Sequence, residues 1–289
     1  MANDPATTAI LFPGQGSQTS TMAAVAAAQR PDLLAQAREE LGVDPFEQIA
    51  EGTHYAQPAI YCASLAHFKQ AGSPEGALIA GHSLGELAAL VAGGALAAEE
   101  GLRLAVIRGR LMEEAAEQSP GGMMAVLGGE DSTVRELAAG FELTVANDNA
   151  PGQVVLSGAS DALSEARKKV RADGLKAIRL PVAGAFHSPL MASAAEKLRA
   201  VLDGVEFASP RVPVFSSTAA APFSEPRDGL AAALTQPVIW QATLKRMRAD
   251  GARTFLETGP GDVLTGLVRR TLDDVEARSL AEPEVVPAV

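Results

Sequence analysis

A serine between two glycines, Gly81-His-Ser-Leu-Gly85, limits how this chain can fold more than any other feature. The apolar residues 77–80 before it predict a buried strand, and residues 84–91 after it predict a helix. In that context, glycines on both sides of a serine let strand and helix approach closely and leave the hydroxyl exposed at the helix N-terminus. The motif therefore predicts Ser83 as a nucleophile at the end of a strand. The alternative is an ordinary helix N-cap.

Similar strand–turn–helix units recur along the chain, from a first strand at residues 8–12 to a last strand at 253–257. This repetition predicts a parallel sheet with helices on both faces. Residues 119–187 differ, because a Ser-Pro-Gly-Gly turn leads into a β-α-β-β-α-β order, which is the ferredoxin-like unit. The predicted fold is therefore α/β. It has a parallel-sheet, α/β-hydrolase-like large subdomain (1–118 and 188–289) and an inserted ferredoxin-like small subdomain (119–187).

The composition excludes several classes of function. The 289 residues include 24 Lys+Arg against 35 Asp+Glu, a net charge of −11. That balance argues against a nucleic-acid binder and against an anionic membrane as partner. The single cysteine, Cys62, excludes an internal disulfide, and the four histidines lack metal-ligand spacing, so no metal is expected. With no signal peptide and no apolar run long enough for a membrane span, we expect a cytoplasmic protein.

A serine nucleophile needs a base, and His187 is the favoured histidine. It follows the last strand of the inserted unit, where the chain returns to the main sheet, and clefts between subdomains are typical active sites. His82 adjoins Ser83, but neighbouring side chains at a strand end point to opposite faces. His54 and His67 are more typical of exposed or structural positions.

The turn after the first strand, Pro13-Gly-Gln-Gly-Ser-Gln18, has no third glycine for a dinucleotide site and no Gly-Lys-Ser/Thr for a nucleotide P-loop. One interpretation is that its glycines present the backbone amide of Gln15 to the top of the sheet. That amide would complete an oxyanion hole with the backbone N–H of Leu84. A plain turn is the alternative.

Seven short motifs in order carry a wider resemblance. They are Pro13-Gly-Gln-Gly-Ser-Gln18, Gln57-Pro-Ala59, Gly81-His-Ser-Leu-Gly-Glu86, Arg108-Gly109, Asn149-Ala-Pro-Gly-Gln153, Ala185-Phe-His187 and Glu257-Thr-Gly-Pro-Gly261. Together they resemble the malonyl-CoA:acyl-carrier-protein transacylase family, including the acyltransferase domains of polyketide synthases. The resemblance extends over nearly the whole chain.

The resemblance implies roles for individual residues. Ser83 would be acylated with His187 as its base, Gln15 and Leu84 would form the oxyanion hole, and Arg108 would hold the substrate's carboxylate. The further substrate-binding residues that it implies are Phe186, His82 and Asn149. In this family a backbone carbonyl orients the histidine, here from the segment before Pro237. Ala233 stands where the family commonly has Gln, which leaves only the main chain for that role.

The resemblance also implies the reaction. Ser83 would take a malonyl group from malonyl-CoA and pass it to the phosphopantetheine thiol of an acyl carrier protein, with no cofactor of the enzyme's own. The alternatives are an acyl hydrolase or thioesterase on the same fold, the malonyl-transfer subunit of a malonate decarboxylase, and a carrier-docking module with a degenerate site. Arg108 argues against the hydrolase, because a neutral acyl chain offers no negative charge for a guanidinium to bind. A surface arginine is the other interpretation of Arg108.

Two basic clusters are candidates for the carrier's docking surface, since carrier proteins are typically acidic. The first cluster contains Arg167, Lys168, Lys169, Arg171, Lys176 and Arg179, and the second contains Lys245, Arg246 and Arg248. Solvated helix faces are the simpler interpretation of either cluster. If the first cluster guides the carrier, reversing the charges of Lys168 and Lys169 should raise the carrier's KM.

Overall fold

The computed structural model describes residues 4–182 and 184–281. The first part of the chain contains β1 (Thr8–Phe12), α1 (Met22–Gln29), α2 (Pro31–Leu41), α3 (Thr53–Gln70), β2 (Leu78–Gly81), α4 (Gly85–Ala92) and α5 (Ala98–Gln118). Next come β3 (Gly121–Leu127), α6 (Asp131–Gly140), β4 (Thr144–Ala150), β5 (Gln153–Ala159), α7 (Ser160–Ala172) and β6 (Lys176–Arg179). The last part contains α8 (Ala192–Leu202), β7 (Val214–Ser216), β8 (Ala221–Pro222), α9 (Pro226–Ala232), α10 (Trp240–Ala249), β9 (Thr254–Glu257), α11 (Val263–Thr271) and β10 (Glu276–Ser279).

The larger sheet has the strand order β10-β9-β1-β2-β7-β8, and every pair is parallel except β7 with β8. All five residues of β1 are buried, as expected for a central strand covered by helices on both faces. The predicted α/β fold is confirmed. Because β1 and β2 are neighbours, their C-terminal ends meet at one edge, where ligands bind in sheets of this kind.

The smaller sheet is antiparallel, in the order β4-β5-β3-β6. Helices α6 and α7 pack on one face through an apolar cluster that includes Met124, Val126 and Leu156. Met123 and Val155, on the opposite face, join the main core. This is the strand order of a ferredoxin-like unit. The bounds 119–187 for an independent subdomain stay a prediction.

One strand of the small sheet also pairs with the large subdomain. Val238 donates its N–H to the Ala146 carbonyl at 2.9 Å and accepts from the Asp148 N–H at 2.8 Å. This bridge joins β4 to the segment before α10. The two sheets are therefore tied together by backbone hydrogen bonds beside the cleft.

Two local patterns predict the wrong element bounds, and one strand has no local signal. Pro58 is typical of a first helical turn, but α3 begins at Thr53, because the Glu113 carboxylate accepts the His54 N–H at 3.0 Å and caps an earlier turn. Residues 147–152, rich in Asn, Pro and Gly, predict a turn, but β4 continues to Ala150 with two register shifts. Strand β10 was missed, because it is a polar edge strand.

The Pro- and Glu-containing segment 281–287 predicts a frayed tail, and beyond Ala281 it lies outside the described residues. Among residues 4–182 and 184–281, none of the helices is both long enough and apolar enough to cross a membrane.

Candidate active site

A cavity of about 390 Å³ lies between the C-terminal edge of the large sheet and the small sheet. The loop after β1 and the turn after β2 form its floor, and Met123, Val155 and Leu180 of the small subdomain form its roof. The eight residues predicted for catalysis, the oxyanion hole and substrate binding all line it: Gln15, His82, Ser83, Leu84, Arg108, Asn149, Phe186 and His187. The fold therefore collects residues from distant parts of the chain into one cleft.

Ser83 occupies a sharp turn between β2 and α4. Its φ of +53° lies in the left-handed region, which a non-glycine residue rarely adopts. A Cβ on Gly81 would lie 2.0 Å from the Gly85 carbonyl carbon, and one on Gly85 would lie 2.2 Å from the Phe12 carbonyl oxygen. Only glycine fits at either position, so the turn can hold the serine hydroxyl above the sheet edge.

His187 is within hydrogen-bonding distance of that hydroxyl. Ser83 Oγ lies 2.9 Å from His187 Nε2, and His187 Nδ1 lies 2.7 Å from the Ala233 carbonyl oxygen. Because a carbonyl only accepts, Nδ1 carries the proton and Nε2 is left free to accept the Ser83 hydroxyl proton. The pair is therefore arranged for proton transfer from serine to histidine.

Burial determines the charge of the base. His187 is 4 % exposed, and burial together with the Arg108 charge lowers its pKa to about 3. Burial also lowers the pKa of Arg108, to about 10, so the guanidinium stays charged at neutral pH. The site thus combines a neutral imidazole with a fixed cation.

Arg108 is buried beside the nucleophile rather than exposed on its helix. Its Nη2 donates to Ser83 Oγ at 3.1 Å, and its Nη1 donates to Gln57 Oε1 at 2.8 Å. A Cβ on Gly109 would lie 2.8 Å from the His54 Cα, so that glycine lets α5 approach α3. Within the described residues no carboxylate forms an ion pair with Arg108. Glu86 interacts with the guanidinium at longer range. Arg108 is thus a buried cation that faces the cavity with no described carboxylate in ion-pair contact.

Gln15 and Leu84, whose backbone amides are the predicted oxyanion-hole donors, line the same cavity. A Cβ on Gly14 would lie 3.7 Å from the Leu84 nitrogen, so the loop after β1 packs directly on the Ser83 turn. In the part of the chain that the structure describes, neither amide donates a hydrogen bond. Two free donors close to a nucleophile can stabilise an oxyanion.

The three remaining residues line the cavity around the nucleophile. His82 Nε2 lies 2.9 Å from Asn149 Oδ1, and the His82 ring packs edge-on against Trp240 at 5.2 Å between centroids. Burial lowers the pKa of His82, which favours its neutral form. The Phe186 ring is 6 % exposed and packs so closely on Gly184 that a Cβ there would lie 2.3 Å from it.

Two buried polar residues beside the site, Gln57 and Glu86, have no role predicted from the sequence. Gln57 holds Arg108, and its Nε2 lies 3.2 Å from the Met112 sulfur. Glu86 is 1 % exposed in α4 and accepts hydrogen bonds from Ser217. A signal for Glu86 was present, since it is the only charged residue in an otherwise apolar helix.

Comparison with known proteins agrees with this architecture. Residues 10–289 match the acyl transferase domain family. The chain is 38% identical to the malonyl CoA-acyl carrier protein transacylase of Salmonella typhimurium, with 97% of both chains covered. It is 37% identical to the protein of the same name from Bacillus subtilis, covering 96% of this chain and 94% of that one.

Two solved structures extend the comparison. Malonyl-CoA:acyl carrier protein transacylase from Xanthomonas oryzae pv. oryzae superposes with a TM-score of 0.89 at 36% identity, covering 96% of this chain and 95% of that one. A malonyl-transacylase in complex with a type II polyketide synthase acyl-carrier protein superposes with a TM-score of 0.85 at 35% identity, covering 94% and 95%. From the family match and these identities over nearly full length, the chain belongs to the acyl transferase domain family.

Proposed function

We propose that this chain transfers a malonyl group from malonyl-CoA to the phosphopantetheine thiol of an acyl carrier protein through an ester on Ser83. The observation that carries the proposal is the buried Arg108 guanidinium, 3.1 Å from Ser83 Oγ and unpaired with any described carboxylate. An acyl group with a free carboxylate supplies the missing anion through two parallel hydrogen bonds, a geometry particular to arginine. The names of the relatives support the same substrate.

In the first half-reaction, Ser83 Oγ attacks the thioester carbonyl carbon while its proton moves to His187 Nε2. The N–H groups of Gln15 and Leu84 stabilise the oxyanion of the tetrahedral intermediate. The carbon–sulfur bond then breaks, and the departing coenzyme A sulfur takes the proton from His187. A malonyl-serine ester and free coenzyme A remain.

The second half-reaction uses the same groups. His187 takes the proton of the carrier's phosphopantetheine thiol, and the sulfur attacks the ester carbonyl. When the intermediate collapses, Ser83 leaves and regains its proton from His187. One acyl bond replaces another in each half, so neither half consumes an oxidant or a nucleotide.

The proposal is tested by incubating the protein with radiolabelled malonyl-CoA and locating the label by peptide mass spectrometry. We expect one label per chain, on Ser83, that is released onto a carrier protein when one is added. Steady production of free malonate without a carrier would instead identify a hydrolase. A protein that takes no label would be a docking module.

Phe186 is expected to select malonyl over methylmalonyl groups. Its ring is held against Gly184 and borders the cavity, so an added α-methyl group competes with it for space. One methyl group in a pocket is worth about 1–3 kcal/mol, so we expect kcat/KM to favour malonyl-CoA by about 10-fold or more.

The Phe186→Ala variant should lower the ratio of kcat/KM for malonyl-CoA to that for methylmalonyl-CoA. Leu267→Ala is the matched control and should leave this ratio unchanged, because Leu267 also lines the cavity but its truncation adds space beside α11. Similar kcat/KM values for the two thioesters in the unmodified protein would exclude Phe186 as the selective residue.

The first basic cluster is the proposed docking surface for the carrier. Lys168 already pairs with Glu165 and Lys169 with Asp173, whereas Arg171 and Lys176 are exposed and form no ion pair with a described residue. Arg171 and Lys176 line a groove of about 600 Å³ that runs along β6. Residues 180–182, directly after β6, line the active-site cavity. An acidic carrier on this groove would lie next to the cleft entrance.

Reversing both charges with Arg171→Glu and Lys176→Glu should raise the carrier's KM about 5- to 20-fold, because surface charges mainly govern the association rate. Loading of Ser83 from malonyl-CoA should be unchanged. The matched control is Lys245→Glu with Arg248→Glu, which changes the net charge equally on α10. A rise in KM only for the α10 variant would make the second basic cluster the docking surface. An equal rise for both double variants would leave the first cluster without a role of its own, and no rise in either would place the docking surface elsewhere.

A further inference from the structure

Glu86 is a buried carboxyl group behind the nucleophile that takes no part in the steps above. It is the second residue of α4, and its Oε1 accepts the Ser217 N–H at 2.7 Å and the Ser217 Oγ–H at 2.9 Å. Burial raises the pKa of Glu86 to about 7. An apolar side chain of similar size would avoid the cost of burying this group. Glu86 also interacts with the charge of Arg108, which opposes the rise in its pKa. Its hydrogen bonds to Ser217 are the direct contacts that an apolar residue could not make.

Those hydrogen bonds lead toward the base. Ser217 is fully buried just after β7, and its carbonyl accepts the Ile239 N–H at 2.8 Å. Ile239 lies at the end of the segment that begins at Ala233, whose carbonyl accepts from His187 Nδ1 at 2.7 Å. Ser217 therefore connects the helix that carries the nucleophile to the segment that holds the histidine.

This connection matters because the histidine has no carboxylate to orient it. A carboxylate partner would be a side chain fixed by its own packing, but here the carbonyl of Ala233, the C-cap residue of α9, does the work, with a smaller contribution from the Gln236 main chain. Helix α9 holds that carbonyl from one side, and the segment 234–239 follows it on the other. In that segment Val238 bonds to Ala146 of the small sheet, whereas the Ser217–Ile239 bond joins its end to the large subdomain.

We infer that Glu86 is a positioning residue that, through Ser217, fixes the segment whose Ala233 carbonyl orients His187 toward Ser83. The inference rests on the proposed function, in which Ser83 is the nucleophile and His187 its base. It requires an acceptor at Oε1, which a carboxylate, a carboxylic acid and an amide all provide.

The test measures the rate at which phenylmethanesulfonyl fluoride modifies Ser83. This neutral reagent needs the serine and its base but brings no carboxylate for Arg108. Glu86→Leu should slow the reaction about 10- to 100-fold, since a displacement near 1 Å costs about that much. Glu86→Gln keeps the acceptor and should react within about threefold of the unmodified protein.

Glu257 offers a matched control. It is also fully buried, and its carboxylate accepts the N–H groups of Leu264 at 3.0 Å and Thr265 at 2.7 Å, at the start of α11. None of these bonds leads to His187. Glu257→Leu removes a comparable pair of buried hydrogen bonds, so it should change the unfolding temperature about as much as Glu86→Leu and leave the sulfonylation rate unchanged.

Equal slowing in Glu86→Leu and Glu257→Leu would overturn the inference, because loss of stability would then explain both. Slowing in Glu86→Gln as large as in Glu86→Leu would overturn it as well, because charge rather than hydrogen bonding would then matter. If Glu86→Leu does not fold, Ser217→Ala takes its place. That variant loses only the Oγ–H donor, so we expect about 3- to 10-fold slowing, and an unchanged rate would overturn the inference.

A His187→Ala variant separates this inference from the proposed function. If the reagent modifies Ser83 equally fast in that variant, the proposed function fails and the inference fails with it. If His187→Ala is slow while both Glu86 variants react normally, only the inference fails.

Discussion

Arg108→Ala is expected to reduce malonyl transfer about 30- to 5,000-fold. Losing a charged partner in a desolvated site costs about 2–5 kcal/mol, and each 1.36 kcal/mol is a factor of about ten. Arg108 meets that condition, because it is 5 % exposed, held by Gln57 and unpaired with any described carboxylate. Acetyl transfer should survive or improve, because a neutral acyl group no longer meets an unpaired cation.

The measurement compares kcat/KM for malonyl-CoA and acetyl-CoA in the two proteins, with Arg108→Lys as the control. Lysine keeps the positive charge but cannot form two parallel hydrogen bonds to one carboxylate, so it should recover only part of the malonyl rate. Equal loss of both activities in a folded Arg108→Ala protein would make Arg108 a structural residue and remove the main support for a malonyl substrate.

His187→Ala is expected to slow acylation of Ser83 about 10²- to 10⁴-fold, the usual contribution of a positioned base. Among the described residues, the only side chains that form a hydrogen bond with Ser83 Oγ are those of Arg108 and His187, and the guanidinium cannot accept its proton. Single-turnover acylation by malonyl-CoA measures the effect. Added imidazole should partly restore the rate in His187→Ala but not in Ser83→Ala. If the His187→Ala variant were acylated about as fast as the unmodified protein, and added imidazole did not raise its rate, His187 would be excluded as the base.

The same measurement carries a pH prediction. Since the pKa of His187 is lowered to about 3, the imidazole is already neutral at pH 5, and acylation should be flat from there to pH 8. A histidine with an ordinary pKa would lose about tenfold in its neutral fraction between pH 7.5 and 5.5. Glu86, with a pKa of about 7, titrates in this range, but its Oε1 accepts in both protonation states. A tenfold decline toward pH 5.5 would contradict this account of the base.

Much of the fold could be predicted from local patterns. Alternation of apolar strands with helices predicted the parallel sheet, and the β-α-β-β-α-β order predicted the second sheet, because both depend on periodicity along the chain. The failures occurred where a distant residue overrides a local signal. Glu113 caps α3 ahead of Pro58, and the polar strand β4 is held by pairing with β5 and with Val238.

Some features of the candidate site likewise depend on local sequence, and others depend on contacts between distant residues. The glycines around Ser83 and beside Arg108 are local requirements of a tight turn and a close helix contact, so the sequence by itself determined the strand–turn–helix element that presents the serine. The 2.9 Å contact between Ser83 and His187 joins residues 104 positions apart, and Gln57 meets Arg108 across 51 positions. Such distances depend on how the two sheets pack, and no pattern along the chain encodes them. The resemblance implied that a main-chain carbonyl orients His187. Only the tertiary structure could decide that the Ala233 carbonyl lies 2.7 Å from His187 Nδ1, that Arg108 is a buried cation with no described carboxylate in ion-pair contact, and that Glu86 is buried behind both.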